Sequence, residues 1–168
     1  MIVFELAQEL YALPISQVRE VLPIATLTPF VAAPAELAGM LRLRGALLPV
    51  VDLRRRLGLP HVPQQIGHCI IAVQLGSCVV GLLVDGVRDV VAGGGGLDPL
   101  HPGATGDFVD RVTQASGQVI AVLNAEETIG KAMCKFLAAI MRNDGSPVAT
   151  PDNKVEAVDG ADGPVAGV

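Results

Sequence analysis

The sequence predicts an all-β fold of the barrel class with a single amphipathic helix near the C-terminus. Apolar residues make up 51% of the chain, and they fall in short runs that Gly, Pro or charged residues interrupt. Turn signals such as Gly76-Ser77 and Asp85-Gly86 separate neighbouring runs, as they do in β-hairpins. Only the stretch after Asn124 has a sustained helical period. Many short strands joined by Gly- and Pro-rich turns are typical of β-barrels.

The predicted elements are short and follow one another closely. Pro14 starts a helical turn over 15–18 that leads into a strand. A Pro-rich loop separates this strand from a central pair on either side of Gly45, which ends in a helical turn over 53–57. The Gly-rich segment 93–103 is predicted to be irregular. Further strands are predicted at 2–6, 9–13, 69–73, 78–84, 87–91 and 119–123.

The C-terminal helix is predicted over about 125–142. Asn124 followed by Glu127 is a capping signature. We expect the apolar stripe of this helix to pack on its own barrel, and binding to a partner is the alternative. The stripe recurs at helical spacing in Ile129, Ala132, Met133, Phe136, Leu137, Ile140 and Met141.

We expect one folded domain over residues 1–143, with two halves divided near 60–67. Residues 144–168 contain five acidic residues against Lys154 and few large apolar ones, so a disordered acidic tail is predicted there. The body before Asp144 is close to neutral, with 12 acidic and 11 basic residues. A neutral body argues against binding to nucleic acid.

Other classes of protein are also disfavoured by the composition. The apolar runs are too short to span a membrane, and no signal peptide is evident, so we expect a cytoplasmic protein without direct membrane insertion. The cysteines and histidines lack the spacing of a metal site, and no cofactor is expected. The basic run Arg54-Arg55-Arg56 is interpreted as a solvated turn, with contact to an acidic partner as the alternative.

The segment 39–53 is the most informative part of the chain. It reads as two apolar strands around Gly45, with Arg44 beside the glycine. Pro49 lacks an N–H and is therefore predicted to lie at a sheet edge or a bulge. From the pattern alone, a solvated arginine on the polar face is the favoured interpretation of Arg44.

Together with 11–21, 79–87 and 119–124, this segment resembles the CheW family, the coupling proteins of bacterial chemotaxis. The residues that match the structural part of the family pattern are Gly39, Gly45, Pro49, Asp52, Gly81 and Asp85. Arg42 departs from the pattern, because a small polar residue such as Asn is usual there.

The resemblance implies two packed five-stranded SH3-like β-barrel subdomains and a non-catalytic adaptor function. The implied partners are the regulatory domain of a CheA-type histidine kinase and the cytoplasmic tips of methyl-accepting chemoreceptors, whose helices dock in an apolar groove between the barrels. The implied binding residues include a Glu20–Arg44 pair near that groove and the apolar residues Val18, Val21 and Val90. Each valine is also consistent with ordinary core packing.

Two alternatives to this function remain open. An adaptor of a pilus-driven motility pathway would share the same fold. An enzyme is disfavoured, because no serine lies in a Gly-x-Ser-x-Gly context and no histidine has an acidic neighbour in sequence. Asp52 and Asp85 each follow a run of valines or leucines and are interpreted as strand-end turn residues rather than as a general acid–base pair.

Overall fold

The computed structural model describes residues 1–92, 108–115 and 117–142, without the side chain of Ala115. A 3₁₀ turn over Ile15–Gln17 precedes the third strand, as predicted. The strands are β1 (Ile2–Leu6), β2 (Glu9–Leu13), β3 (Val18–Pro23), β4 (Leu37–Leu43), β5 (Ala46–Asp52), β6 (Cys69–Leu75), β7 (Cys78–Val84), β8 (Gly86–Val90), β9 (Val109–Ala115) and β10 (Gln118–Leu123). The helices are α1 (Leu53–Arg56), α2 (Ala125–Ile129) and α3 (Lys131–Arg142).

The strands form two five-stranded sheets, which confirms the predicted all-β class with two β subdomains and a C-terminal helical segment. The terminal sheet has the order β8-β1-β2-β10-β9, and the central sheet has the order β3-β6-β7-β5-β4. Most neighbours are antiparallel, but β2 pairs with β10 and β5 pairs with β7 in parallel.

The predicted division of the two halves near 60–67 is wrong. The central sheet contains strands from both sides of that segment, and the terminal sheet combines both ends of the described chain. The chain crosses between sheets after Leu13 and again at Asp85. Hairpin signals identify strands that are neighbours in sequence, whereas the parallel β5–β7 pairing joins distant segments and leaves no local signal.

The period of two along the strands divides the apolar residues between separate cores. In β1, Ile2, Phe4 and Leu6 face a large joint core between the two sheets, whereas Val3 faces the inside of the terminal sheet. In β6, Ile71 and Val73 face the joint core, and Ile70 and Ala72 face the inside of the central sheet. Both faces of these strands are therefore buried, which explains why their sequences are almost continuously apolar.

The predicted helix over about 125–142 is present but is divided into α2 and α3 at Gly130. Gly130 has φ +80°, which lies outside the helical region, so the helix is interrupted at this position. The Asn124 side chain caps α2 by accepting from the N–H groups of Glu126 and Glu127 at 3.0 and 3.4 Å.

The apolar stripe packs on the protein itself, as expected. Ile129, Met133 and Leu137 are buried in the joint core, and Phe136 packs edge-on against Phe30. The helices therefore cover the joint core and attach the end of the described chain to both sheets.

Two further expectations concern parts of the chain that the structure describes incompletely. The segment predicted to be irregular, 93–103, and the predicted acidic tail, 144–168, lie outside the described residues.

Strand β9 was not anticipated by the sequence patterns. Among the described residues, no helix has the length and apolar character needed to cross a lipid bilayer.

Candidate partner-binding surface

Glu20 and Arg44 form an ion pair on the surface of the central sheet. Arg44 Nη1 donates to Glu20 Oε1 at 3.0 Å, and Arg44 Nη2 donates to Glu20 Oε2 at 2.9 Å. Both side chains are brought together because the sheet curls, since β3 is one edge strand and the β4–β5 turn adjoins the other edge. The bidentate geometry fixes the orientation of the guanidinium relative to the carboxylate.

Arg44 occupies a backbone conformation that arginine rarely adopts. Arg44 and Gly45 are the two central residues of the β4–β5 turn, with φ values of +49° and +85°. Two consecutive positive φ angles are the mark of a type I′ turn, where Asn-Gly is the preferred sequence. Arg44 is 75% exposed at its side chain, so its pairing with Glu20 contributes at most about 1 kcal/mol. The pair therefore shapes the surface more than it stabilises the fold.

The apolar residues of the implied site occupy two edge strands. In the strand registers, Val18 lies opposite Val73 and Val21 opposite Ile71, and both partners face the joint core. Val18 is half-buried against that core, whereas Val21 is 40% exposed. A bulge at Arg19 separates Val18 from Glu20, which places Glu20 on the other face of the strand.

Val90 lies on the other subdomain. It is opposite Ile2 at the edge strand β8 and is 61% exposed, on the sheet face that contributes Ile2 to the joint core. Val21 and Val90 therefore lie at the solvent-exposed margin of the joint core, Val21 on the central sheet and Val90 on the terminal sheet. We call the surface formed by β3 and β8, with Val18, Val21 and Val90, the β3–β8 surface.

The end of β3 and the start of β8 lie at the same end of the molecule. Pro23 is in register with Cys69, which is in register with Val84 at the end of β7. A Cβ on Gly86 would lie 3.5 Å from the Gly67 carbonyl oxygen, one residue before His68, whose carbonyl accepts from the Ile24 N–H. The start of β8 therefore lies near the end of β3, where the chain crosses between the sheets, and Val90 lies at the opposite end of β8.

Two cavities lie elsewhere, on the terminal sheet. One of about 420 Å³ is lined by residues that include Glu5, Arg88 and Ile120, and one of about 500 Å³ by residues that include Tyr11 and Val119. Neither is lined by the residues that the resemblance implies for binding. Those residues therefore lie on an open surface rather than in either cavity.

Glycine is required at each of the three motif positions for a different structural reason. A Cβ on Gly39 would lie 2.7 Å from the Thr28 carbonyl oxygen, so only glycine permits the Thr28 bridge to β4. A Cβ on Gly81 would lie 2.7 Å from Ile70 Cγ2, inside the central sheet. Gly45 has open space around it and is required only for its turn conformation.

Pro49 lies in an internal strand but at a position that needs no N–H. Its partner in β4 is Met40, whose N–H and carbonyl both bond to Thr28 on the other side of β4. The pairing of β5 with β7 begins only at Val50. Pro49 therefore has a single strand neighbour, as an edge position would.

Asp52 has the local role that the sequence indicates. It is 4% exposed and caps α1 by accepting from the Arg55 N–H at 3.3 Å. Its carboxylate also lies 3.3 Å from Arg55 Nε and 3.3 Å from His61 Nδ1. No histidine in this arrangement has a serine or cysteine nucleophile among its described contacts.

Asp85 lies at the end of β7, as the sequence indicates, but the partners of its side chain are distant in sequence, so it does not form a local Asx turn. Its carboxylate accepts from the Ala7 N–H at 2.8 Å and from Arg54 Nε at 2.6 Å, and Arg54 Nη2 forms a second, very short contact. Burial alone would raise the pKa of Asp85, but the hydrogen bonds from Arg54 and Ala7 outweigh it and lower the pKa below its usual value.

The solvated-turn interpretation of Arg54-Arg55-Arg56 is wrong. Arg54 contacts Asp85, Arg55 contacts Asp52 and the Ala35 carbonyl, and Arg56 Nε donates to the Thr128 carbonyl at 2.5 Å. Each arginine therefore holds a different part of the chain. Apart from Asp52, these partners are 20 to 72 residues away from the arginines along the chain. No local signal in the sequence therefore identifies them.

Metal ligation has no support in the described part of the chain. No group of three or more His, Cys, Asp or Glu residues there has the arrangement to hold an ion. The cysteines Cys69, Cys78 and Cys134 are free and half-buried.

These features define a β protein of two sheets, with an oriented ion pair on one face of the edge strand β3 and an exposed valine on its other face. The CheW-like domain model matches residues 1–133, and the chain therefore belongs to the CheW-like family. Over 91 residues it is 41% identical to the chemotaxis protein CheW of Rhizobium meliloti and 32% identical to that of Klebsiella aerogenes. These matches cover 54% of this chain and 59% and 55% of the relatives, so the chain spans less than two thirds of the length of either.

A solved structure supports the same fold. The scaffolding protein TtCheW from Thermoanaerobacter tengcongensis superposes with a TM-score of 0.71 at 27% identity, covering 79% of this chain and 92% of that chain. The likeness extends over both sheets, because neither sheet alone accounts for that share of the chain.

Proposed function

We propose that this chain is a non-catalytic cytoplasmic adaptor that couples methyl-accepting chemoreceptors to a CheA-type histidine kinase. Membership of the CheW-like family supports this function, as do the relatives that are named chemotaxis proteins. The observation that carries the proposal is the oriented Glu20–Arg44 pair at the edge strand β3, where the exposed Val21 lies on the opposite face of the same strand.

The β3–β8 surface has the chemistry that a receptor helix needs. A helical hairpin presents a ridge of apolar side chains, and Val21 and Val90 offer exposed apolar contacts for such a ridge. In this proposal the valines supply most of the binding free energy, because their burial removes apolar area from water. The Glu20–Arg44 pair lies across the edge of β3 from Val21, where its oriented charges fix the register of a helix that packs along this edge.

The kinase contact is proposed for the rest of the two-sheet scaffold. The kinase's regulatory domain has a CheW-like fold in this family, so it would pair with this chain through similar β subdomains. Val90 lies on the edge strand of the terminal sheet, where such a neighbour could extend the contact.

Co-sedimentation of the full chain with a receptor cytoplasmic fragment and a CheA-type kinase tests this function. The proposal predicts a ternary complex in which kinase recovery with the receptor depends on this chain. Binding of either protein alone would restrict the function to one contact. Absence of both contacts from a chain that is folded by circular dichroism would contradict it.

A further inference from the structure

The chain makes its second crossing between the two sheets through a single residue. Strand β7 of the central sheet ends at Val84, and β8 of the terminal sheet begins at Gly86, so Asp85 alone connects them. A one-residue connection leaves only the φ and ψ angles of that residue to vary between the two strands, so it transmits the orientation of one strand to the next when those angles are fixed.

Asp85 is held from both sides. Its N–H donates to the Glu5 carbonyl at 3.1 Å, and its carboxylate accepts from the Ala7 N–H, so both contacts reach the terminal sheet. Arg54, which follows β5 of the central sheet, donates to the same carboxylate from two nitrogens. The third guanidinium nitrogen of Arg54 donates to the Pro60 carbonyl at 2.9 Å.

The pair is shielded from water to an extent that surface pairs are not. The side chains of Arg54 and Asp85 are 15% and 16% exposed, compared with 75% and 30% for Arg44 and Glu20. An oriented, partly buried ion pair gives direction to a contact, whereas apolar burial does not. The joint core holds the two sheets together, but it does not by itself specify the angle between them.

We infer that Arg54 and Asp85 are positioning residues that fix the orientation of β8 relative to β3. Val90 lies on β8, and Val21 and Glu20 lie on β3, so this orientation sets the spacing across the β3–β8 surface. The consequence for receptor binding rests on the proposed function, whereas the orientation itself does not.

Residual dipolar couplings of backbone amides in the uniformly ¹⁵N-labelled chain measure this orientation. In the wild type, one alignment tensor is expected to fit both sheets. In Arg54→Met/Asp85→Asn, which removes the ion pair but keeps an acceptor for the Ala7 N–H, each sheet is expected to fit its own tensor, with the two tensors rotated relative to each other or unequal in magnitude. The separate fits also show that each sheet remains folded.

The matched control is Arg88→Met. Arg88 is paired with Glu5, but this pair joins β8 to its neighbour β1 within the terminal sheet. One tensor is therefore expected to fit the control. If Arg54→Met/Asp85→Asn does not fold, Arg54→Lys decides, because lysine keeps the charge but cannot make the two-nitrogen contact. A rotation between tensors in that variant supports the inference.

One common tensor for both sheets in the folded double variant, or in Arg54→Lys if the double variant does not fold, would overturn the inference. Receptor affinity is a second measurement. The double variant leaves Glu20 and Arg44 intact, and we expect it to bind the receptor about tenfold more weakly than the wild type. If the wild type does not bind receptor, the proposed function fails, but the dipolar couplings still decide whether Arg54 and Asp85 position the sheets.

Discussion

Arg44 donates from both terminal nitrogens to the two carboxylate oxygens of Glu20, at 3.0 and 2.9 Å, across the curled central sheet. The contact joins the turn after one edge strand to the strand at the opposite edge. It holds an arginine in a backbone conformation that suits asparagine better. This combination indicates a position occupied for its side chain's chemistry rather than for the stability of the turn.

Arg44→Asn tests this interpretation. Asparagine relieves about 1 kcal/mol of backbone strain, and loss of the exposed pair costs at most about 1 kcal/mol. The free energy of unfolding measured in urea should therefore change by no more than about 1 kcal/mol, while receptor binding weakens. A loss of more than about 3 kcal/mol would show that the pair is needed to hold the sheet closed.

Gly39→Ala and Gly45→Ala form a matched pair of substitutions at positive φ. At Gly39 the new Cβ would lie 2.7 Å from the Thr28 carbonyl oxygen, whereas at Gly45 it would meet nothing within 4 Å. We expect Gly39→Ala to lower the free energy of unfolding by about 2 kcal/mol or more and Gly45→Ala by about 1 kcal/mol. Equal losses in urea denaturation would mean that the close approach of Thr28 is unimportant.

Tyr11 provides a spectroscopic test of the terminal sheet. Burial, together with the hydrogen bond that its hydroxyl donates to Glu9 at 2.9 Å, raises the pKa of Tyr11 to about 12. It is the only tyrosine and there is no tryptophan, so phenolate absorbance reports it alone. The native titration midpoint should lie near 12, whereas in urea it should lie near 10.

The raised pKa of Tyr11 also has a consequence for stability. The unfolded phenol loses its proton first, so the stabilisation is present below about pH 10 and is lost as the pH rises toward 12. Glu9→Gln should lower the midpoint but leave it above that of the unfolded chain, because burial is the larger cause. A native midpoint near 10 would contradict the packing of Tyr11 against Phe4 that the structure shows.

Removal of residues 146–168 is expected to leave receptor and kinase binding unchanged, because the proposed binding residues lie between 18 and 90. The same truncation should leave the thermal midpoint close to that of the full chain, since the described cores use no residue beyond 142. Isothermal titration calorimetry of the truncated and the full-length chain, each with the receptor fragment and with the kinase, compares the affinities. A marked loss of affinity would assign a function to the acidic segment.

The sequence predicted local elements well and long-range relationships poorly. The period-two pattern and the turn signals locate most strands because each is a property of neighbouring residues. The division into subdomains was wrong because the β3–β6 and parallel β5–β7 pairings join segments that are far apart in sequence. The break at Gly130 was missed because a glycine within an otherwise continuous apolar stripe is compatible with a helix.

The candidate site shows the same contrast. The resemblance associated Glu20 with Arg44, and the structure brings their side chains together. The contacts of Arg54 and Asp85 had no counterpart in any local pattern, since ion pairing depends on where the fold places each charge.

Receptor co-sedimentation of Arg44→Glu beside Arg42→Glu tests the central claim most directly. Both variants make the same change of charge two residues apart, but Arg42 is exposed and has no ion pair with another described residue. Arg44→Glu would place two carboxylates together at the pair, so we predict that it stays folded and loses at least about tenfold in receptor affinity. Arg42→Glu should bind nearly as the wild type does. Equal binding by the two variants, both folded by circular dichroism, would contradict the assignment of the Glu20–Arg44 pair to the receptor surface.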